Sequence, residues 1–88
     1  MIRQNNLTLN GTATELTFSD AVQENNSISI QNTSADKNVY IGNSSVTTSV
    51  YGFKLSPSQV LTMDLTAFDK LYGCGDTGAT VAVLVVEN

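Results

Sequence analysis

Residues 38–47 read NVYIGNSSVT, 51–65 read YGFKLSPSQVLTMDL, 71–75 read LYGCG and 79–86 read ATVAVLVV. In each stretch apolar residues recur at every second position, and Gly, Ser and Asn separate one stretch from the next. A period of two is that of a strand, whose successive side chains leave opposite faces. The pattern predicts an all-β chain, and no catalytic constellation lies within it.

The last stretch differs from the others. One face would carry Ala79, Val81, Val83 and Val85, the other Thr80, Ala82, Leu84 and Val86. Both faces are apolar, so this strand is expected to be covered on both sides. A second sheet covers one face. The natural cover for the other is a neighbouring copy, which makes Val81, Val83 and Val85, or the opposite-face residues Leu84 and Val86, the expected subunit contacts. A loop of the same chain is the alternative cover.

Working outward, Leu7 and Leu9 alternate with polar residues before the turn dipeptide Asn10-Gly11, and Leu16 and Phe18 alternate after it. Residues 21–26, AVQENN, read as a loop. Ser27 to Gln31 alternate cleanly, and a polar turn leads to Val39–Ile41, so these two segments are expected to pair. Val46 to Val50 is β-branched and expected to be extended. Residues 55–58, LSPS, read as a turn, and Leu61, Met63 and Leu65 form a further strand. Residues 67–72 fit one helical turn or a short strand. The predicted architecture is a small β-sandwich, jelly-roll-like or otherwise, of seven or eight short, mostly antiparallel strands in a single domain spanning 1–88.

Composition excludes several functions. Four basic and eight acidic residues leave a net charge of −4, and Arg3, Lys37, Lys54 and Lys70 are scattered. A nucleic-acid binder needs cations gathered on one face to displace phosphate counterions, so no direct nucleic-acid contact is expected. At 88 residues, roughly 60–65% of the unfolded surface can be buried, which gives modest intrinsic stability. No disulfide can form within the chain, because Cys74 is the only cysteine. Ser, Thr and Asn make up about a third of the residues, a composition usual in β proteins that work outside cells. No run reaches the roughly 18–20 apolar residues that span a bilayer, so no membrane partner is expected. Residues 1–12, MIRQNNLTLNGT, have no apolar segment and do not read as a signal peptide.

No candidate for chemistry survives inspection. Cys74 has no histidine to draw off its proton and reads as a small, partly buried residue in a turn. Asp64, Asp69 and Asp76 lie close in sequence, but their spacing matches no calcium loop; solvated turns are the expected role, and no metal or cofactor is expected. Gly73, Gly75 and Gly78 lead into a strand, whereas a phosphate-binding fingerprint opens a helix. Five N-x-S/T sequons, at Asn6, Asn10, Asn25, Asn32 and Asn43, are expected by chance in so Asn-rich a chain. Tyr40, Tyr51, Phe53 and Tyr72 are candidate sugar-facing aromatics; packing at the core edge is the alternative.

The segment from Asn38 to Leu84 resembles small structural proteins of tailed bacteriophages. The elements that carry the likeness are Val39 to Gly42, Val46 to Ser49, Gly52 to Pro57, Val60 to Leu65, Leu71 to Gly73 and Thr80 to Val86. They cover about half the chain, and Ser58 departs from the glycine that often follows the proline. The resemblance implies a non-enzymatic virion protein: a capsid decoration (cement) or head-fibre-like component, with the major capsid protein as partner and a homotrimer as the favoured state. It implies assembly into the virion within the host cytoplasm. On this reading residues 1–6 form a flexible arm, with Met1, Ile2 and Arg3 as the capsid anchor. The alternative is a carbohydrate-binding module or the receptor-binding tip of a phage fibre.

Overall fold

The computed structural model describes residues 2–17, 26–66 and 69–87. Eight strands follow in order: β1 (Ile2–Thr8), β2 (Thr14–Glu15), β3 (Asn26–Asn32), β4 (Val39–Gly42), β5 (Phe53–Leu55), β6 (Val60–Leu65), β7 (Tyr72–Gly75) and β8 (Thr80–Glu87). They form two four-stranded antiparallel sheets, β1-β8-β3-β6 (sheet A) and β2-β7-β4-β5 (sheet B). The pairings β1 with β8, β2 with β7, β3 with β6 and β4 with β5 are those of one long hairpin wrapped into two layers. This is the jelly-roll order, and it confirms the predicted small β-sandwich. No helix occurs among the described residues.

Alternation builds the core. Ile28 and Ile30 of β3, with Val81, Val83 and Val85 of β8, point inward from sheet A. Val39 and Ile41 of β4 and Leu55 of β5 meet them from sheet B, and Leu9, Leu16 and Ala79 close the ends. Each fully buried aliphatic side chain contributes roughly 1.5–3 kcal/mol. The layers are also pinned by a polar residue, Asn32, buried at the end of β3. Its Nδ2 donates to the carbonyls of Lys37 (2.8 Å) and Leu55 (3.0 Å), and its Oδ1 accepts from the Ser34 amide (2.9 Å).

Several expectations are corrected here. Residues 2–6 are not an arm: they belong to β1, which pairs with β8 from Ile2 opposite Val86 to Thr8 opposite Thr80. Ile2 and Arg3 are therefore sheet residues; Met1 lies outside the described residues. The segments 27–31 and 39–41 do not pair, because β3 belongs to sheet A and β4 to sheet B. Val46 to Val50 is a looped segment, and the strand forms instead at Phe53–Leu55. Cys74 lies inside β7, and the turn starts only at Asp76. Ser56 to Gln59 form a turn closed by the Gln59 amide on the Ser56 carbonyl (3.0 Å), with Pro57 second and Ser58 at φ 71°. The expectations for residues 21–25, Phe18 and residues 67–68 fall outside the described residues.

Candidate functional site

The two sheets differ in what covers their outer faces. On sheet B, residues 43–52 fold back over the strands. A Cβ on Gly42 would meet the Val46 side chain at 3.2 Å, which places Val46 directly above that backbone. Val46 is buried, and so is Cys74, which the register sets opposite Tyr40 on this outer face. Neither belongs to the main core between the sheets. Tyr51 lies against Tyr40, ring centroids 4.8 Å apart and planes tilted by 48°, with Lys54 Nζ 6.0 Å from the Tyr40 centroid. Sheet B thus carries a second small core beneath its own loop. Desolvation there pushes the Cys74 thiol above its ordinary range.

Sheet A has no such loop among the described residues. Register sets its outer face in rows that run across β1, β8, β3 and β6. One row is Ile2, Val86, Ser27 and Asp64; the next is Gln4, Leu84, Ser29 and Thr62; the third is Asn6, Ala82, Gln31 and Val60. Ile2, Val60 and Leu84 are 67%, 56% and 42% exposed. Asp64 is the only charged side chain among these rows, and it accepts from Ser27 Oγ at 3.0 Å. Ser29 and Thr62 share a hydroxyl bond of 3.2 Å, and Thr33 donates to Thr80 at 2.9 Å. A shallow groove of about 640 Å³ runs over the small residues, bordered by Gln4, Gln31, Val60 and Leu84. The face carries one charge, Asp64, among neutral polar groups and exposed aliphatic side chains.

Edges differ as well. Sheet B ends on strands of two and three residues, β2 and β5, whereas sheet A ends on β1 and β6, of seven and six. Among the described residues no strand pairs with the free side of β1 or of β6. Such edges present unpaired amides and carbonyls ready to pair with another strand.

The residues singled out by sequence fall as follows. Val81, Val83 and Val85 are consumed by the interior and cannot be subunit contacts; Leu84 and Val86 remain on the outer face. Tyr40 and Tyr51 come together, and Tyr72 shares their face by register with Gly42. Phe53, opposite Ile41, lies on the other side of the sheet, so the four rings do not make one platform. The three aspartates are not gathered, and no metal-binding group occurs among the described residues. Asp69 accepts from the Thr66 amide (2.9 Å), three residues back, whereas Asp76 accepts from the amide of Asn38 (3.2 Å) and ties the end of β7 to the start of β4. Asn10 and Asn43 each accept the amide two residues on. The pinning role of Asn32 was missed; the available signal was a polar residue in phase with the inward-facing Ile28 and Ile30.

No family model and no curated protein sequence matches the chain. Among solved structures, a Bacillus endospore appendage protein, from a family of disulfide-linked pili, shares the fold with a TM-score of 0.52. Its identity is 13%, over 98% of this chain and 88% of that one.

Proposed function

We propose that this chain is a non-enzymatic structural subunit that assembles by joining edge β1 of one copy to edge β6 of the next. The observation that carries this reading is strand direction. Sheet A alternates up, down, up, down across its four strands, so a copy shifted sideways without rotation presents its β1 antiparallel to the β6 it meets. The ladder then continues through the junction as an ordinary antiparallel pair. Such head-to-tail contacts generate a filament unless the rotation between copies closes them into a ring. Each copy would advance the filament by about 19 Å, four strands at ~4.8 Å. Strand twist of roughly −20 to −25° would wind it into a helix.

The fold shared with a pilus protein supports the same direction. Disulfide linkage is not part of the proposal, because a single cysteine can join copies only in pairs, and Cys74 is buried. Decoration of a virion shell as a trimer is the closed form of the same reading.

Light scattering and negative-stain microscopy of the purified chain across a dilution series test it. Mass that grows with concentration and filaments of regular repeat are expected. A fixed mass of three chains would favour the closed, virion-decorating form, and a monomer throughout would remove both. Asn5→Pro and Asn6→Pro carry an internal control. Of two neighbouring residues in an edge strand, one turns its amide toward β8 and the other toward solvent. The outward variant is expected to fold and not polymerise, whereas the inward variant loses stability.

A further inference from the structure

From the outer face of sheet A we infer a second contact, independent of the edges: two copies of this chain pack face to face about a two-fold axis parallel to the strands, between β8 and β3. The order β1-β8-β3-β6 is symmetric about that line, so the rotation lays β8 on the partner's β3 and β1 on the partner's β6. On the two central strands every row then sets large against small, while Ile2 of β1 comes to lie toward the partner's Asp64. Leu84 faces the partner's Ser29, Val86 the partner's Ser27, and Gln31 the partner's Ala82, each pair following from the register of β3 with β8. Each arrangement occurs twice, as a two-fold contact requires. Leu84 enters the groove above Ser29 instead of meeting another Leu84. Aligned sheets sit about 10 Å apart and near −30°, an offset that moves the outer corners but keeps these central pairs.

The chemistry of the face selects this occupant. A chain of net charge −4 repels its own copies, and contact through this face adds least to that repulsion because its rows carry only Asp64, at one corner. It offers no cation for phosphate and is too rich in Ser, Thr, Asn and Gln to enter lipid. Its neutral amides and hydroxyls, spaced between aliphatic side chains, suit a second surface of the same kind.

The test is solution mass across a dilution series, in the wild-type chain and in whichever edge-proline variant folds and does not polymerise. The edge-blocked chain is expected to be a dimer. Leu84→Lys should raise its dissociation constant about tenfold or more, the weight of one buried anchor. Ser29→Leu is the sharper variant: it adds apolar surface yet fills the recess that Leu84 needs, so it should weaken the dimer. The swap Leu84→Ser with Ser29→Leu should restore it. A monomeric edge-blocked chain, or a Ser29→Leu chain that associates more tightly, overturns the inference. A dimer in which the wild type never polymerises would overturn edge pairing alone.

Discussion

Asn32 is itself buried, donates two hydrogen bonds to carbonyls and accepts one from an amide, so its replacement strands the buried Leu55 carbonyl and removes a partner from the half-buried Lys37 carbonyl and Ser34 amide. Asn32→Ala is expected to cost about 3 kcal/mol or more in urea unfolding, since each buried unsatisfied group costs about 1–3 kcal/mol. Asn32→Asp should be worse, because a carboxylate would face the Lys37 and Leu55 carbonyls. Ser58 holds φ 71°, a region that costs a side chain roughly 1–2 kcal/mol. Ser58→Gly removes that strain and gives back part of it as chain entropy, so a gain of up to about 1 kcal/mol is expected in the same assay. At Cys74 the sign of the pH effect follows from burial: the folded thiol resists ionisation. Below about pH 8.5 both states keep the proton; above it the unfolded thiol ionises first, and stability falls until the folded thiol also titrates. The difference in unfolding free energy between wild type and Cys74→Ala should therefore shrink between pH 8 and pH 10. A difference that stays flat across that range would argue against the desolvated site.

At the scale of elements, β7 shows why residues that read as a turn make a strand. Gly73 and Gly75 face inward from a central strand, where a Cβ on Gly73 would meet the Leu16 side chain at 2.9 Å. On Gly75 it would meet the Asn38 carbonyl at 2.7 Å. A side chain can yield and a carbonyl fixed in the backbone cannot, so Gly75→Ala should lower the melting temperature more than Gly73→Ala. Overpacking of this kind costs about 1–3 kcal/mol. Strands β3 and β6 were legible as sequence because apolar residues alternate in each, and β8 because it is a continuous apolar run. Strand β2 has two residues and β5 three, too few for a period to emerge, while the β-branched run 46–50 placed its one buried residue, Val46, in a loop. Alternation says which face a residue takes, not which strand lies beside it. That is why the pairing of β3 with β4 was misread and the free edges of sheet A went unseen. The doubly apolar character of β8 did point to its central place and to an outer face needing cover. It did not say which of the two faces the core would claim.

For the whole molecule, the position of its one cysteine bears directly on assembly. Filaments of this chain should keep their mass and appearance in excess reductant, and in the Cys74→Ala variant, because nothing covalent need join the copies. Disassembly by reductant, followed in the microscope, would show otherwise. The wrapping of strands first to eighth, second to seventh, third to sixth and fourth to fifth has its own consequence for how the protein is made. Strand β8 sits between β1 and β3, yet the ribosome releases it after every other described strand. Until then β1 has no neighbour to pair with, and sheet A has no middle. A nascent or prematurely terminated chain therefore lacks both the continuous edge and the finished face that copies would use to meet. Because β8 comes last among the described strands, the proposed contacts between copies can form only after sheet A is whole.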